Sequence, residues 1–329
     1  MFEGSIILVT GGTGSWGYEL TKKLLRHNPK EVRIFSRNEY AQVRMQRHFR
    51  FHPALRFLIG DVRDLQAVTE ACAGVDYVFH LAALKHVPIC EAQPDEALKT
   101  NVTGTSNVIR ASILHRVKKV VDVSTDKACD PINFYGMTKA LGEKMMIQAN
   151  SLSPHTRFVC IRGGNVLGTN GSVVPFFRQL IEEDCPLTIT SSEMTRFFLT
   201  IPEAIELLTK AAEEAIGGET FVMKMNACKI RDLAEVMRTC LGKPHLPLQE
   251  VGVRPGEKLH EVLVSRYEAP HTCCWGDQYF VILPAAPSDE LKERYAALPR
   301  APFHEYQSDD TLLTRDEIAT MLRKGGFLP

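Results

Sequence analysis

The sequence predicts an α/β protein: a doubly wound parallel sheet followed by a smaller domain of mixed α/β character. Three observations carry that prediction. Short β-rich runs alternate with helix-length segments through the first half of the chain. Most of these runs are too continuously apolar to face water on one side, which suits a parallel sheet covered on both faces. The first run leads directly into a glycine-rich turn that opens a helix.

Taken in order, Ser5–Thr10, Val32–Ser36, Leu55–Gly60, Val75–Ala82, Val117–Thr125 and Thr156–Arg162 read as strands. Between them Trp16–His27, Glu39–Phe49, Leu65–Cys72, Glu96–His115 and Gly136–Asn150 have helix length, and this alternation is that of βα units. After about Gly168 the rhythm changes. Helices Val173–Glu183, Pro202–Glu214 and Ile230–Leu241 are mixed with isolated strands near Thr220–Met225 and Gln278–Leu283. Thr200 with Glu203, and Thr314 with Glu317, have the form of a capping box; the second opens a C-terminal helix, Arg315–Lys324. Proline-rich stretches at 244–247, 284–287 and 299–302 read as surface connections. A chain of 329 residues can bury two cores. The expected division is 1–167 and 168–329, with strand exchange from the second part back into the first.

Lys plus Arg and Asp plus Glu both number 39, so no net charge draws the chain to a polyanion and nucleic acid is not an expected partner. The nine cysteines form no C-x-x-C pair and have no histidine at zinc spacing. They read as reduced thiols of a cytoplasmic protein. Ile6–Val9 is only strand length and Gly11 follows at once, so no signal peptide is expected. No apolar run approaches the roughly 20 residues that span a bilayer. His80, His86 and His260 lack metal-binding spacing and read as packing residues; no metal is expected.

Gly11, Gly14 and Gly17 stand at G-x-x-G-x-x-G spacing between the first strand and first helix. Such a loop gives a tight turn, a close backbone approach to a pyrophosphate and a helix N-terminus aimed at its charge. In this position it predicts a dinucleotide site. An NAD site usually carries an acid at the end of the second strand for the ribose hydroxyl. Here that strand ends in Ser36-Arg37, a hydroxyl and a guanidinium suited to a 2′-phosphate, so the expected cofactor is NADP. Glu39 belongs to the following helix. Asp61 reads equally as an adenine contact or as a turn or helix-capping carboxylate.

Tyr135 and Lys139 are one helical turn apart and project from one face. A phenol of pKa about 10 is lowered by a neighbouring ammonium and an oxidised nicotinamide. Tyr135 can then take the proton of a sugar hydroxyl as hydride leaves its carbon. Just before it, Ser124-Thr125-Asp126-Lys127 adds an acid and a second amine at a strand end.

With these motifs in hand, the chain resembles the extended short-chain dehydrogenases/reductases of Rossmann fold. Within them it is similar to the inverting UDP-N-acetylglucosamine 4,6-dehydratases (also 5-epimerases) of polysaccharide and pseudaminic acid biosynthesis. The resemblance runs through nearly the whole chain. It includes Ser36-Arg37-Asn38-Glu39, the Ala82-Ala83-Leu84-Lys85-His86-Val87-Pro88 run and Thr100-Asn101-Val102. It continues through Tyr135-Gly136-x-Thr138-Lys139, Arg162-x-Gly164-Asn165-Val166-x-Gly168, Met194-Thr195-Arg196-Phe197-Phe198 and Arg254-Pro255-Gly256-Glu257-Lys258. Epimerases of the family lack an acid pair at the strand end and retaining dehydratases carry Asp-Glu, whereas Asp126-Lys127 resembles the inverting group.

The resemblance implies a catalytic set of Thr125, Asp126, Lys127, Tyr135 and Lys139. After C4 oxidation Lys127 removes the C5 proton, Asp126 protonates the departing C6 hydroxyl, and hydride returns to C6 of the 5,6-ene with inversion at C5. The tightly bound NADP ends each cycle as it began. Lys127 must therefore be neutral, well below its ordinary pKa of about 10.4, and Asp126 must hold a proton. A dry site favours both states, while mutual attraction opposes both.

By the same resemblance the cofactor lies on Gly11, Thr13, Gly14, Ser15, Trp16, Ser36, Arg37, Asn38, Glu39, Asp61, Val62, Leu81, Ala82, Ala83, Lys85, Asn101, Tyr135 and Lys139. The UDP-sugar (UDP-GlcNAc) lies on Lys85, Asn165, Val173, Arg196, Met225, Arg254 and Glu257. A homo-oligomer, at least a dimer through Glu96–His115 and Gly136–Asn150, is also implied. Two departures stand out: Trp16 where Phe is usual, and Cys129-Asp130, whose acid adds negative charge close to Asp126-Lys127. A partial-cycle relative would form or consume the 5,6-ene alone. A plain C4 epimerase would leave Asp126-Lys127 idle, and a noncatalytic NADP sensor would have no need of Tyr135 and Lys139.

Overall fold

In the computed structural model, which describes residues 1–169 and 171–328, six parallel strands carry the first half. They are β1 (Ile6–Thr10), β2 (Glu31–Ser36), β3 (Leu55–Ile59), β4 (Tyr77–His80), β5 (Lys119–Thr125) and β6 (Arg157–Gly163). Their spatial order is 3-2-1-4-5-6, so the winding reverses between β1 and β4. The continuous apolar runs have the expected cause: Ile7, Leu8 and Val9 are all fully buried, with helices on both faces of the sheet.

The remaining strands are β7 (Asn165–Val166), β8 (Leu187–Ile189), β9 (Thr195–Leu199), β10 (Thr220–Met223), β11 (Asn226–Lys229), β12 (Leu248–Glu250), β13 (Val262–Val264), β14 (Thr272–Trp275), β15 (Tyr279–Ile282) and β16 (Tyr306–Gln307). Three of them return to the large sheet. β10 pairs in parallel with β6, β15 antiparallel with β10, and β14 antiparallel with β15. The others make small sheets, β11-β9-β7, β12-β8 and β13-β16. A separate apolar cluster around Leu167, Phe177, Leu233, Met237, Ile318 and Leu322 forms the core of this second half.

The helices are α1 (Ser15–Leu25), α2 (Glu39–His48), α3 (Leu65–Cys72), α4 (Val87–Ala92), α5 (Pro94–Leu98), α6 (Gly104–Leu114), α7 (Phe134–Ala149), α8 (Val173–Glu182), α9 (Ile201–Glu214), α10 (Ile230–Cys240), α11 (Asp289–Tyr295) and α12 (Arg315–Lys324). Both capping boxes form, at Thr200 with Glu203 and at Thr314 with Glu317. The expected helix Glu96–His115 is instead broken into α5, a π turn at Lys99–Thr103, and α6. The extra residue in that turn accommodates Asn101, whose amide grips the backbone of Leu84 through both atoms, at 2.8 and 2.9 Å. Among the described residues no helix is long and apolar enough to cross a membrane.

Candidate active site

A cleft of about 1060 Å³ follows the C-terminal ends of β1 to β6 and is closed on its far side by the second half. Its centre is the reversal between β1 and β4, the crevice where open α/β sheets bind their ligands. Of the residues expected to hold a dinucleotide, Gly11, Thr13, Gly14, Ser15, Trp16, Ser36, Arg37, Asn38, Asp61, Val62, Leu81, Ala82, Ala83, Lys85 and Tyr135 line it.

Gly11 has φ +65°, and a Cβ there would stand 2.8 Å from the backbone of Ala82, so the first turn needs a bare backbone. The helix α1 opens directly on the cleft without a side-chain cap. Ser36 is fixed from behind by Gln42, whose amide reaches Ser36 O, Ser36 Oγ and Leu58 O at 3.0, 3.1 and 2.8 Å. Arg37 is more than half exposed and lies 3.6 Å from Asp61. Asp61 is bound to the Arg63 backbone and guanidinium at 3.0 and 2.9 Å. Burial opposes its charge, but these bonds and the two arginines hold its carboxyl below the ordinary value. Asp61 thus serves a turn, while Asp64 caps α3 by accepting from Gln66 N and Ala67 N. Asn38 caps α2 through a bond from Ala41 N and still faces the cleft.

Five expected site residues lie off the cleft wall. Glu39 sits exposed in the first turn of α2, where it complements the helix dipole. Asn101 is spent on Leu84 and Thr138. Met225 is nine-tenths buried and accepts from Gly164 N through its sulfur. Asp126 and Lys139 are buried just behind the wall.

The reactive end is built where β5 runs into a 3₁₀ turn, Asp126–Ala128, and α7 packs against it. Gly136 makes that approach possible: a Cβ there would fall 2.1 Å from the Lys127 carbonyl oxygen. One Asp126 oxygen accepts from Thr125 Oγ1 at 2.9 Å and from Lys127 Nζ at 3.0 Å. The other is buried without a partner. Lys127 Nζ also lies 3.5 Å from Asn165 Oδ1 and 3.6 Å from the Glu261 carboxylate.

Burial works against the Lys127 ammonium, yet Asp126 and Glu261 together hold its pKa above the ordinary lysine value. Attraction therefore outweighs dryness at Lys127, opposite to what a free base requires. Burial also raises the Tyr135 phenol, and Lys139, Lys127 and the Thr125 hydroxyl only partly offset it. Among the protein's own groups, the lowering expected at Tyr135 is thus overcome by desolvation. Lys139 is paired at 3.3 Å with Asp122, a fully buried acid in the middle of β5. Burial pushes Asp122 up to about 6 despite that lysine, and Asp122 in turn keeps Lys139 charged against burial.

On the far wall Asn165, Val173, Arg196, Arg254 and Glu257 all face the cleft, and α8 opens onto it at Val173. Arg196 is less free than expected: its guanidinium donates to the carbonyls of Thr195, Leu259 and Lys258 at 2.6, 3.2 and 3.0 Å. Asp130 is exposed on a turn with φ +43° and does not face Lys127; the extra negative charge there comes from Glu261. His80 is buried between Thr10 and Thr105, and burial lowers its pKa to about 3. His260 bonds to Thr195 at 2.8 Å, whereas His86 stands exposed on the cleft rim.

Sequence reasoning missed Gln42, Arg63, Asp122 and Glu261. Only Glu261 carried a usable signal, an acid three residues beyond the Arg254–Lys258 motif.

The family described as "Polysaccharide biosynthesis protein" matches residues 7–282. The "UDP-N-acetylglucosamine 4,6-dehydratase (inverting)" of Campylobacter jejuni is 43% identical over 289 residues, covering 87% of this chain and 84% of that protein. A "UDP-glucose 4-epimerase" of Rickettsia typhi is 44% identical over 271 residues, covering 80% and 79%. The solved structure of Pen from Bacillus thuringiensis superposes with a TM-score of 0.91 at 38% identity, covering 98% of this chain and 99% of that one.

Proposed function

Since the chain belongs to the polysaccharide biosynthesis protein family, we propose that it is an NADP-dependent UDP-N-acetylglucosamine 4,6-dehydratase that inverts C5. The observation that carries this reading is the Asp126–Lys127 pair at 3.0 Å, beside Tyr135 at the end of β5. Oxidation and reduction at C4 alone need no acid and amine there. Relatives of nearly equal identity carry dehydratase and epimerase names, so the site chemistry decides between them.

The cleft fits a dinucleotide: Gly11 lets the first turn close against the Ala82 backbone, where a Cβ would clash, and α1 offers its N-terminus to a diphosphate. Ser36 and Arg37 suit a 2′-phosphate, which favours NADP over NAD. When bound, the nicotinamide supplies the hydride acceptor for C4 and returns that hydride to C6. Tyr135 takes the C4 hydroxyl proton, and Lys139 steadies the resulting phenolate. Lys127 takes the C5 proton that the C4 ketone has acidified. Asp126 gives its proton to the C6 hydroxyl, which departs as water. The diphosphate of the sugar nucleotide lies against the N-terminus of α8 and Arg254, and Glu257 accepts from ribose hydroxyls. Residues 1–167 hold the dinucleotide and 168–329 the sugar nucleotide, in a cytoplasmic homo-oligomer.

Nuclear magnetic resonance of the protein with UDP-N-acetylglucosamine in deuterated water, without added cofactor, tests this reading. A 6-deoxy-4-keto sugar with deuterium at C5 and inverted C5 coupling is expected. A 5,6-ene would identify a partial-cycle enzyme. A C4 epimer without loss of water would overturn the dehydratase reading.

A further inference from the structure

The Glu261 carboxylate has no part in the chemistry above, yet it stands at its centre. Its side chain is 3% exposed and forms part of the cleft wall. Oε1 lies 3.6 Å from Lys127 Nζ and 3.6 Å from Arg196 Nε. Oε2 is buried with no hydrogen-bond partner. The backbone that carries it is fixed: Glu261 N donates to Ser308 Oγ, and Ser308 N to Glu261 O, both at 2.9 Å. A buried carboxylate with an idle oxygen is costly unless charge compensates it. Here the two cations compensate it in part, and burial together with Asp126 still holds its carboxyl above the ordinary value.

Lys127 therefore sits between two carboxylates. The other charged or titratable groups that act on the cluster are Lys85 and Tyr135 from the first half, and Lys258 and Arg196 from the second. Arg196 cannot swing away to replace Lys127, because three backbone carbonyls hold it.

We propose that Glu261 is a positioning residue for Lys127, orienting its amine and stabilising the ammonium that forms when Lys127 accepts the C5 proton. The inference rests on the dehydratase reading. The balance closes as follows. Lys127 first passes a proton to Asp126, breaking N–H and forming O–H. The neutral amine then takes the C5 proton while the C5 electrons form the C5–C6 double bond. The C6–O bond breaks and the oxygen takes the Asp126 proton to leave as water. Asp126 and Lys127 return to carboxylate and ammonium, and Glu261 stays ionised throughout. Positive charge thus grows on Lys127 in the elimination step, 3.6 Å from a fixed negative charge.

Two measurements on Glu261→Gln, with Glu261→Asp as the conservative variant, test this. In single-turnover experiments with UDP-N-acetylglucosamine, E261Q should still reduce the bound cofactor at C4, while the pH profile of water release and C5 deuterium uptake should move down by about one pH unit or more, because the Lys127 ammonium loses a carboxylate 3.6 Å away. E261D, which keeps the carboxylate, should show less than half of that shift. The second measurement needs no turnover. Acylation of Lys127 by an amine-reactive ester at pH 8.5, read by mass spectrometry against exposed Lys292, should speed up at least tenfold in E261Q, because an opposite charge at this distance is worth about 1–3 pH units. Unchanged acylation together with unchanged water release would overturn the proposal. Equal loss of C4 reduction and water release in both variants would do so too, since that marks a merely structural role. A wild-type protein that releases no water, with E261Q still acylated faster, would sink the dehydratase reading and keep the pairing.

Discussion

Replacing Arg162 by Met should remove about 3–5 kcal/mol of stability, the usual cost of leaving buried carboxylates unpaired. The magnitude follows from the geometry. Arg162 ends β6 with its side chain only 4% exposed. Its guanidinium reaches Glu143 of α7 at 3.0 and 2.7 Å and Glu268 of the second half at 2.9 and 2.8 Å, and donates to Leu263 O at 2.8 Å. Burial raises the Glu268 carboxyl, but Arg162 and the Ser265 bonds hold it at about 2, against 4.5 for an ordinary glutamate. At 1.36 kcal/mol per pH unit that gap corresponds to about 3 kcal/mol, in line with the substitution range. The sign is that of a depressed acid: the stabilisation is complete above about pH 4.5 and lost as pH falls toward 2. Urea unfolding at pH 7 and at about pH 2.5 measures both parts. Arg162→Met should unfold about 3–5 kcal/mol earlier at pH 7 and lose the Glu268 share of the acid slope. Adding Glu143→Gln and Glu268→Gln should restore at least half of the loss. A cost below about 1 kcal/mol, or no recovery in the triple variant, would refute the reasoning.

Tyr135→Phe should reduce turnover by at least 100-fold while dinucleotide binding, followed by fluorescence titration, stays within about twofold. Arg37→Ala should weaken NADP at least tenfold and leave NAD nearly unchanged, since only the 2′-phosphate engages the guanidinium; parallel losses would refute that assignment. Gly136→Ala forces a Cβ to within 2.1 Å of the Lys127 carbonyl oxygen, so water release should fall more steeply than cofactor affinity, as kcat and Kd measured side by side will tell.

Much of the fold was legible because it repeats a local rule. Strands β1 to β6 were readable to within two residues from their apolar runs, since a strand buried on both faces is filled mostly by apolar side chains. The second half obeyed no such rule. β7 and β16 are two residues long, and their partners lie far away in the sequence, so no window contains the reason for them. The π turn at Lys99–Thr103 escaped notice because it serves a contact from Asn101 to Leu84, which helix periodicity cannot express.

At the site the same distinction holds. Tyr135, Lys139, Asp126 and Lys127 were legible as spacing within one stretch of chain. Glu261 lies 134 residues beyond Lys127 (261 minus 127) and meets it through tertiary contacts, the Ser308 bonds and the Lys258 bond to Cys129 O among them. The protonation balance was beyond reach for a related reason: dryness and attraction oppose each other at Lys127, and only distances decide between them.

The return of β10, β15 and β14 to the large sheet has a bearing on engineering by recombination. A cut at residue 168 would seem to separate two exchangeable modules. It would instead strip β6 of its neighbour and expose a flat, apolar ladder of unpaired amides and carbonyls, an invitation to aggregate. Chimaeras that swap sugar specificity between relatives should therefore graft the α8 and Arg254–Glu257 loops alone and keep β10, β14 and β15 with the parent that supplies β6.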